Sequence, residues 1–397
     1  MVKVGEEFVR TEVQFIPAKL KVIDHYRETY ECRSCRKNGT PYMEKAPVPY
    51  PPVLHSLASA STITWLIHQK FELSIPLYRQ EKEWEALGLR LSRATMSNWL
   101  LVVYRDWLVH IVHRLKLELL KQRYLHIDET HVQVLKEPGR KNTSDSYMWV
   151  YCSIRDAVNP IRYFEYQPGR SGKYPEAFLR EYEGYIHTDA YSGYNAVSGV
   201  KRCLCYTHLR RAFVDALPKD IHNSEASKPA EAILRLNQLF NIESELEALP
   251  PDQKKKERLI RERPLLEAFW SWAEKSAIGE LPKSKLSKAF HYALNNREGF
   301  WNYLEDGNCS ISNSLAENCI RPFVIGRKNW LFSGSPKGAE ASAGIYTLVE
   351  TAKANGLAPM KYIKYILSDM PGSAFLEHPE YLDDYLPWNP LVKEFCR

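Results

Sequence analysis

The chain has 397 residues, of which 44% are apolar, and carries a formal net charge of +6 at pH 7. That is enough sequence for two or three domains of ordinary globular composition, and the charge suits a polyanionic partner without demanding one. No run approaches 18 uncharged apolar residues, so no membrane span is predicted, and "MVKVGEEFVRTEVQ" lacks the basic-then-apolar pattern of a signal peptide.

Residues 1–45 are predicted to form a small first unit, with β-type alternation in "KLKVIDHYRETYECRSC", followed by the proline-rich "APVPYPPV". The unit holds the one close C-x2-C pair, Cys32 and Cys35. The eight cysteines are otherwise scattered, a usage that points to a reducing cytoplasm rather than a disulfide framework. Residues 46–120 read as helical from about position 56. In "LYRQEKEWEALGLRLSRATMSNWLLVV" two helical patterns flank Gly88 and Ser92, the latter suited to N-cap the second helix. This is the outline of a helix-turn-helix that would set Arg93, Ser97 and Asn98 against DNA; two helices that merely pack together fit the same pattern.

Residues 121–216 change character. "YLHID", "YMWVYCSI" and "IRYFEY" are rich in aromatic and β-branched residues and read as strands. A helix ("KYPEAFLREY"), a strand ("YIHTD"), a short connection, a strand ("KRCLCY") and a helix ("THLRRAFVDAL") follow. Hairpins first and parallel crossovers later is the order of a ribonuclease H-like core, an α/β fold with a mixed sheet. Residues 217–300 are helical and highly charged and read as an insertion, with "KKKER" as a solvated helix face or, alternatively, a phosphate-binding surface. Residues 301–370 return to the core through the helix "SNSLAENCIRPFVIGRKNW", a Gly/Ser/Lys loop and a helical end. Residues 371–397 form a tail without a readable motif.

"YLHID" and "YIHTD" share a pattern of Tyr, His and Asp at alternate positions. With a strand period of two, Tyr124, His126 and Asp128 lie on one face, as do Tyr185, His187 and Asp189. If the strands are parallel neighbours, Asp128 and Asp189 meet at their carboxyl ends, where open α/β sheets place ligand sites. Two adjacent carboxylates repel unless one is protonated or a cation is present, and magnesium is the natural remedy. The plain alternative is that each Asp only opens a turn.

Glu317 has two readings. Ser314-Leu315-Ala316-Glu317 matches a capping box, in which Glu reaches back to the N-cap backbone. Alternatively it is a third metal ligand: Arg321 follows one turn later, then Arg327, Lys328, Trp330 and Lys337 mix basic and aromatic side chains with glycines, as suits contact with phosphates and bases. Cys205 and His208, with Cys203 nearby, suit either a metal site or a buried thiol beside a helix-opening His. Arg210 and Arg211 on that helix are candidate DNA contacts.

Taken together, "HIDETHVQVL", "HTDAYSGYNAV", "CYTHLRRAF", "IPLYRQEKEWEALGLRLSRATMSNW" and the long block "AENCIRPFVIGRKNWLFSGSPKGAEASAGIYTLVETAKANGLAP" resemble the insertion sequence 66 family of bacterial DDE transposases, over about residues 8–370. The long block is the specific part. The resemblance implies that Asp128, Asp189 and Glu317 form a catalytic triad holding two Mg²⁺ (or Mn²⁺) ions. It also implies cutting of transposon ends and joining of the 3′-hydroxyl to target DNA, by a homo-oligomer on DNA aided by accessory proteins of the same element. Family members carry two C-x2-C pairs in an N-terminal zinc-binding segment. Here only Cys32 and Cys35 stand, with His25 a stray ligand, so zinc is in doubt and a misplaced start or a truncated copy is expected. Two other functions remain open: a catalytically inactive DNA-binding remnant, and a structure-selective nuclease of ribonuclease H-like fold.

Overall fold

The computed structural model describes residues 2–16, 18–218 and 227–397. At the N-terminus, β1 (Thr29–Glu31) pairs antiparallel with β2 (Met43–Lys45) around the short α1 (Arg33–Lys37). The Cys32 N–H donates to the Tyr42 carbonyl at 2.9 Å, so the C-x2-C pair sits at a closed knuckle.

Four helices follow: α2 (Ala60–Ile67), α3 (Leu77–Ala86), α4 (Arg93–Val103) and α5 (Val109–Leu120). Gly88 takes a φ of +89°, which a side chain would oppose, and the Ser92 hydroxyl accepts the Thr95 N–H at 3.1 Å. The turn and cap are those predicted. One π-helical turn, Tyr104–Leu108, links α4 to α5, so the second helix runs on far beyond a short recognition helix. Its buried side, including Met96, Val103, Leu108 and Leu115, shares one apolar cluster with the central sheet. Arg93, Ser97 and Asn98 lie on the exposed side.

The central sheet has the order β5-β4-β3-β6-β7, built from β3 (Tyr124–Val134), β4 (Asp145–Ser153), β5 (Arg162–Gln167), β6 (Gly184–Thr188) and β7 (Val200–Leu204). The β3–β4 and β4–β5 pairs are antiparallel, while β6 and β7 run parallel to β3. A short α6 (Lys173–Phe178) precedes β6, and a 3-10 turn, Ser192–Ala196, joins β6 to β7. The register Tyr124↔Tyr185 and His126↔His187 makes β3 and β6 the parallel neighbours that the repeated motif predicted.

One feature differs from the sequence reading. β3 does not stop at its acids but continues to Val134. Val132 and Val134 are wholly buried, and β4 supplies antiparallel partners as far as Gln133↔Asp145. On its other edge β3 pairs with β6 only to His126, then with β8 (Phe332–Ser333) from Gln133. Between those partners one edge of β3 stands open, and Asp128 lies in the gap.

The predicted start of the insertion at 217 runs into residues 219–226, which lie outside the described residues. On either side stand α7 (Tyr206–Val214), then α8 (Lys228–Glu245), α9 (Pro251–Ala277), α10 (Lys285–Asn295) and α11 (Arg297–Trp301). They gather a second apolar cluster around Phe213, Leu236, Trp270 and Phe290. In "KKKER", Lys255 and Lys256 are exposed as read, but Arg258 is 0% exposed. It faces α8, binds Glu243 through Nε and Nη2 at 2.6 and 2.8 Å, and donates to the carbonyls of Tyr303, Asp306 and Cys309.

The chain returns to the sheet with α12 (Ser314–Trp330), β8, α13 (Pro336–Ala354), α14 (Pro359–Asp369) and α15 (Pro390–Cys396). α13 is buried along most of its length. Thr347 and Thr351 accept the N–H groups of Phe164 and Arg162, covering the outer edge of β5. The tail docks on this core, the Ala358 N–H donating to the Cys396 carbonyl at 2.7 Å. Among the described residues no helix is long and apolar enough to cross a membrane.

Candidate active site

The paired motifs build a ladder across the β3–β6 boundary. Tyr124 and Tyr185 stack at 5.6 Å, and beyond them His126 and His187 stack at 4.2 Å with ring planes 10° apart. Asp128 and Asp189 come next, where the parallel hydrogen bonds end. The imidazoles carry the loop that brings in the third acid. Asn313 Nδ2 donates to the Ile127 carbonyl at 2.8 Å, leaving Oδ1 to accept from His126 Nδ1 at 2.9 Å. His187 Nε2 accepts the Ser310 N–H at 2.9 Å, leaving Nδ1 to donate to the Leu125 carbonyl. Burial pushes His126 well below its ordinary pKa, so the ring stays neutral.

Asn313 is therefore the N-cap of α12 as well as a strand-bound residue, and Glu317 lies in the helix's first turn. The capping box is not formed. Asn313 makes no side-chain cap, and Ser314, already inside the helix, bonds the Ser312 hydroxyl instead. Glu317 Oε1 is buried and accepts no hydrogen bond, and His208 Nε2 lies 3.7 Å away. Asp189 Oδ1 accepts the Tyr191 N–H at 2.9 Å, while Arg202 holds that turn by donating to the carbonyls of Asp189 and Tyr191. Burial above all, then the charges of Glu129, Asp189 and Glu317, pushes the Asp128 carboxyl up to about 7. The charges of Asp189 and Glu317 thus both act on Asp128, although among the described residues the three acids do not gather ligand atoms within 4.8 Å of one another.

Three carboxylates, one of them with a buried oxygen that accepts no hydrogen bond, suit a hard divalent cation, whose charge would favour the ionised form of Asp128. Cys205 Sγ, His208 and Glu317 place ligand atoms within 4.8 Å of one another. The Cys205 thiol accepts the Asn313 N–H at 3.1 Å. Its contact chiefly raises the pKa of His208, helped by Glu317 and Asp189. Cys205 is a buried thiol beside a helix-opening His, and the same trio of Cys205, His208 and Glu317 could hold a metal ion. His187, Cys203 and Cys309 form another cluster, but both His187 nitrogens are already engaged in hydrogen bonds. Cys32 and Cys35 gather no third His, Cys, Asp or Glu ligand among the described residues, and two thiols do not fit a tetrahedral zinc site.

The candidate DNA contacts divide. Arg211, Arg321, Lys328 and Lys337 are exposed. Arg210 binds Asn237 at 2.7 Å and joins α7 to α8. Arg327 donates to Thr130 Oγ1 at 2.9 Å and to the His131 carbonyl, fastening α12 to β3. Trp330 packs on Phe323 and under Lys70. Lys337 belongs to the first turn of α13 rather than to a loop, since Ser335 caps that helix and Pro336 opens it.

Sequence reasoning missed Glu129, Arg170 and Asn313. Glu129 Oε1 accepts from Arg170 Nε at 2.6 Å, and Tyr194 donates its hydroxyl to Oε2. The Arg170 guanidinium lies 3.9 Å over the Tyr191 ring and 3.7 Å from Asp189 Oδ2. No local pattern marks Arg170, whose partner is 41 positions away; the Tyr-x-His-x-Asp repeat was the one signal for the strand-bound loop.

These features define a class: a mixed α/β protein with Asp128 on the open edge of β3, where the parallel ladder to β6 ends, and with the charges of Asp189 and Glu317 acting on it. The chain belongs to the Transposase IS66 family, whose pattern matches residues 55–341, and residues 1–36 match the zinc-finger binding domain of transposase IS66. Similar proteins from Sinorhizobium fredii (strain NBRC 101917 / NGR234) include uncharacterized protein y4hP, 26% identical over 97% of this chain and 71% of that protein. Uncharacterized protein y4qI is 27% identical over 98% of this chain and 72% of its own length. The family makes the chain a transposase and DNA its partner.

Proposed function

We propose that the chain cuts the ends of a bacterial insertion sequence and joins the freed 3′-hydroxyls to target DNA, with Asp128, Asp189 and Glu317 as the catalytic acids of a ribonuclease H-like core. Three antiparallel strands followed by two parallel ones, in the order β5-β4-β3-β6-β7, support that core. In this reading the core spans residues 121–216 and 301–370, interrupted by the insertion at 217–300. Residues 1–45 and 46–120 serve DNA recognition, and 371–397 brace the core. The protein works in the cytoplasm, consistent with eight free thiols, as a homo-oligomer on DNA.

What supports the reading most is the β3–β6 register, which sets Asp128 beside Asp189, together with the charges of Asp189 and Glu317 that act on Asp128. Two Mg²⁺ (or Mn²⁺) ions held by these three side chains would supply Lewis-acid activation of the attacking hydroxyl and of the phosphodiester. Asp128 releases its proton to become a ligand. Asp189 is held in place by its turn, which Arg202 braces. Asn313, His126 and His187 fix the base of α12, so that Glu317 meets the strand acids with little reorganisation. Water attacks in the first step and the DNA 3′-hydroxyl in the second, with no covalent enzyme–DNA intermediate.

The test is nicking of DNA carrying the element's end, in Mg²⁺ against EDTA. Asp128→Asn should abolish nicking and leave DNA binding intact; retained nicking would refute the assignment. Wild-type protein that binds ends without nicking in Mg²⁺ would instead be a DNA-binding remnant. Cleavage of branched DNA without strand transfer would mark a structure-selective nuclease.

A further inference from the structure

Arg170 is held more firmly than charge neutralisation requires. Its Nε and Nη2 both lie 2.6 Å from Glu129 Oε1, and the Glu129 side chain is only 2% exposed. Its guanidinium stacks on Tyr191, whose hydroxyl donates back to the Arg170 carbonyl at 2.7 Å. The loop itself is pressed against the turn that follows Asp189: a Cβ on Gly172 would stand 2.3 Å from the Gly193 carbonyl oxygen. Yet the Arg170 side chain is 40% exposed, and Nη1 has no hydrogen-bond partner among the described residues. Its approach to Asp189 Oδ2, at 3.7 Å, is too long for a hydrogen bond. Arg170 lines a cleft of about 390 Å³ with Asp189, His208, the exposed Arg211 and Asp215. His208 and Arg211, three positions apart on α7, lie on one helical face.

We propose that Arg170, with Arg211 across the cleft, binds the non-bridging oxygens of the DNA phosphodiester brought to Asp189, and that Glu129 is the positioning residue that holds Arg170 for this contact. The inference rests on the transposase reading and adds a phosphate clamp to its acids. A planar fork with one edge anchored and the other free suits two phosphate oxygens. The same anchoring keeps the cation close to the metal-binding acids without occupying them. It also explains why a second acid, Glu129, follows Asp128 directly: alternation along β3 turns it to the opposite face of the strand.

The experiment uses the full chain and a duplex carrying the element's end. Affinity is measured by fluorescence anisotropy over a salt series in Ca²⁺, nicking in Mn²⁺ at saturating DNA, and Mn²⁺ binding without DNA by electron paramagnetic resonance. Arg170→Gln should lower the slope of log affinity against log salt by about one, as expected for one lost phosphate contact. It should also slow nicking about 100-fold while Mn²⁺ affinity stays within about twofold. Glu129→Gln, which frees the guanidinium but keeps its charge, should slow nicking and leave the salt slope unchanged. An unchanged slope in Arg170→Gln together with tighter Mn²⁺ binding would show a cation that merely offsets Asp189, and would overturn the proposal. Should Arg170→Gln not fold, Arg170→Lys carries the test, and wild-type nicking by that variant would overturn the role of the fork. Absence of Mn²⁺-dependent nicking in the wild type would refute the transposition chemistry, whereas the salt slopes would still report on Arg170.

Discussion

Asp128→Asn should make the metal-free protein more stable at pH 8 than the wild type, and the advantage should disappear as the pH falls. Burial and three negative neighbours push the Asp128 carboxyl from its ordinary 3.8 to about 7. The folded chain then binds this proton more tightly than the unfolded chain does. Its cost to folding sets in as pH rises past about 4 and is complete above about 7. The difference corresponds to about 4 kcal/mol, an upper bound because the side chain keeps some contact with water. Asn has nearly the same shape and no charge, so it escapes this cost at every pH. Thermal or urea unfolding of both proteins in EDTA at pH 4.5, 6 and 8 would measure the difference directly. The gap should widen steadily with pH, and saturating Mn²⁺ should close it by stabilising the wild type alone. A gap that stays flat with pH, or wild-type protein that gains on the variant as pH rises, would refute the account of a crowded, cation-demanding carboxyl.

Two further outcomes follow from the groups that support the acids. Asn313→Ala removes the link between α12 and β3, leaving His126 and the Ile127 carbonyl without partners in a site that is 1% exposed. It should cost about 2–4 kcal/mol, read by thermal unfolding, and weaken Mn²⁺ binding and nicking at least tenfold; unchanged metal affinity would show that Glu317 does not depend on this tie. Arg258→Met takes the guanidinium from Glu243, leaving it Lys254 at 3.5 Å, and strands the carbonyls of Tyr303, Asp306 and Cys309. A loss of about 3–5 kcal/mol is expected by chemical denaturation, much of it recovered when Glu243→Leu is added. No recovery in the double variant would contradict the ion-pair explanation.

Much of the sheet was readable because its signals are local. Aromatic and β-branched runs marked the strands, and the repeated Tyr-x-His-x-Asp placed two strands in register. The capping box at Glu317 was misleading for a tertiary reason. Asn313, claimed by β3 through long-range hydrogen bonds, takes the N-cap position, and Ser314 is drawn into the helix. The continuation of β3 past Asp128 was visible in the alternation "THVQV" but obscured by two acids that looked like an ending. Lys337 was misplaced although Ser335-Pro336 is a helix-start signal. Arg258 was hidden in a run of which only Lys255 and Lys256 are exposed. Arg170, in "PGRSG", reads as turn punctuation; its meaning comes wholly from Glu129 and Tyr191, which only folding brings near.

The strand β3 meets late-arriving partners. Asn313 bonds it near its middle, and β8 joins it at Gln133 and Val134. During synthesis the first two acids leave the ribosome long before Glu317, and the whole of α8 to α11 intervenes. In the proposed reading, a half-made chain would hold two of the three acids and no complete cage for ions. In the proposed reading, cleavage of DNA would wait until α12, which follows α8 to α11, has closed over β3.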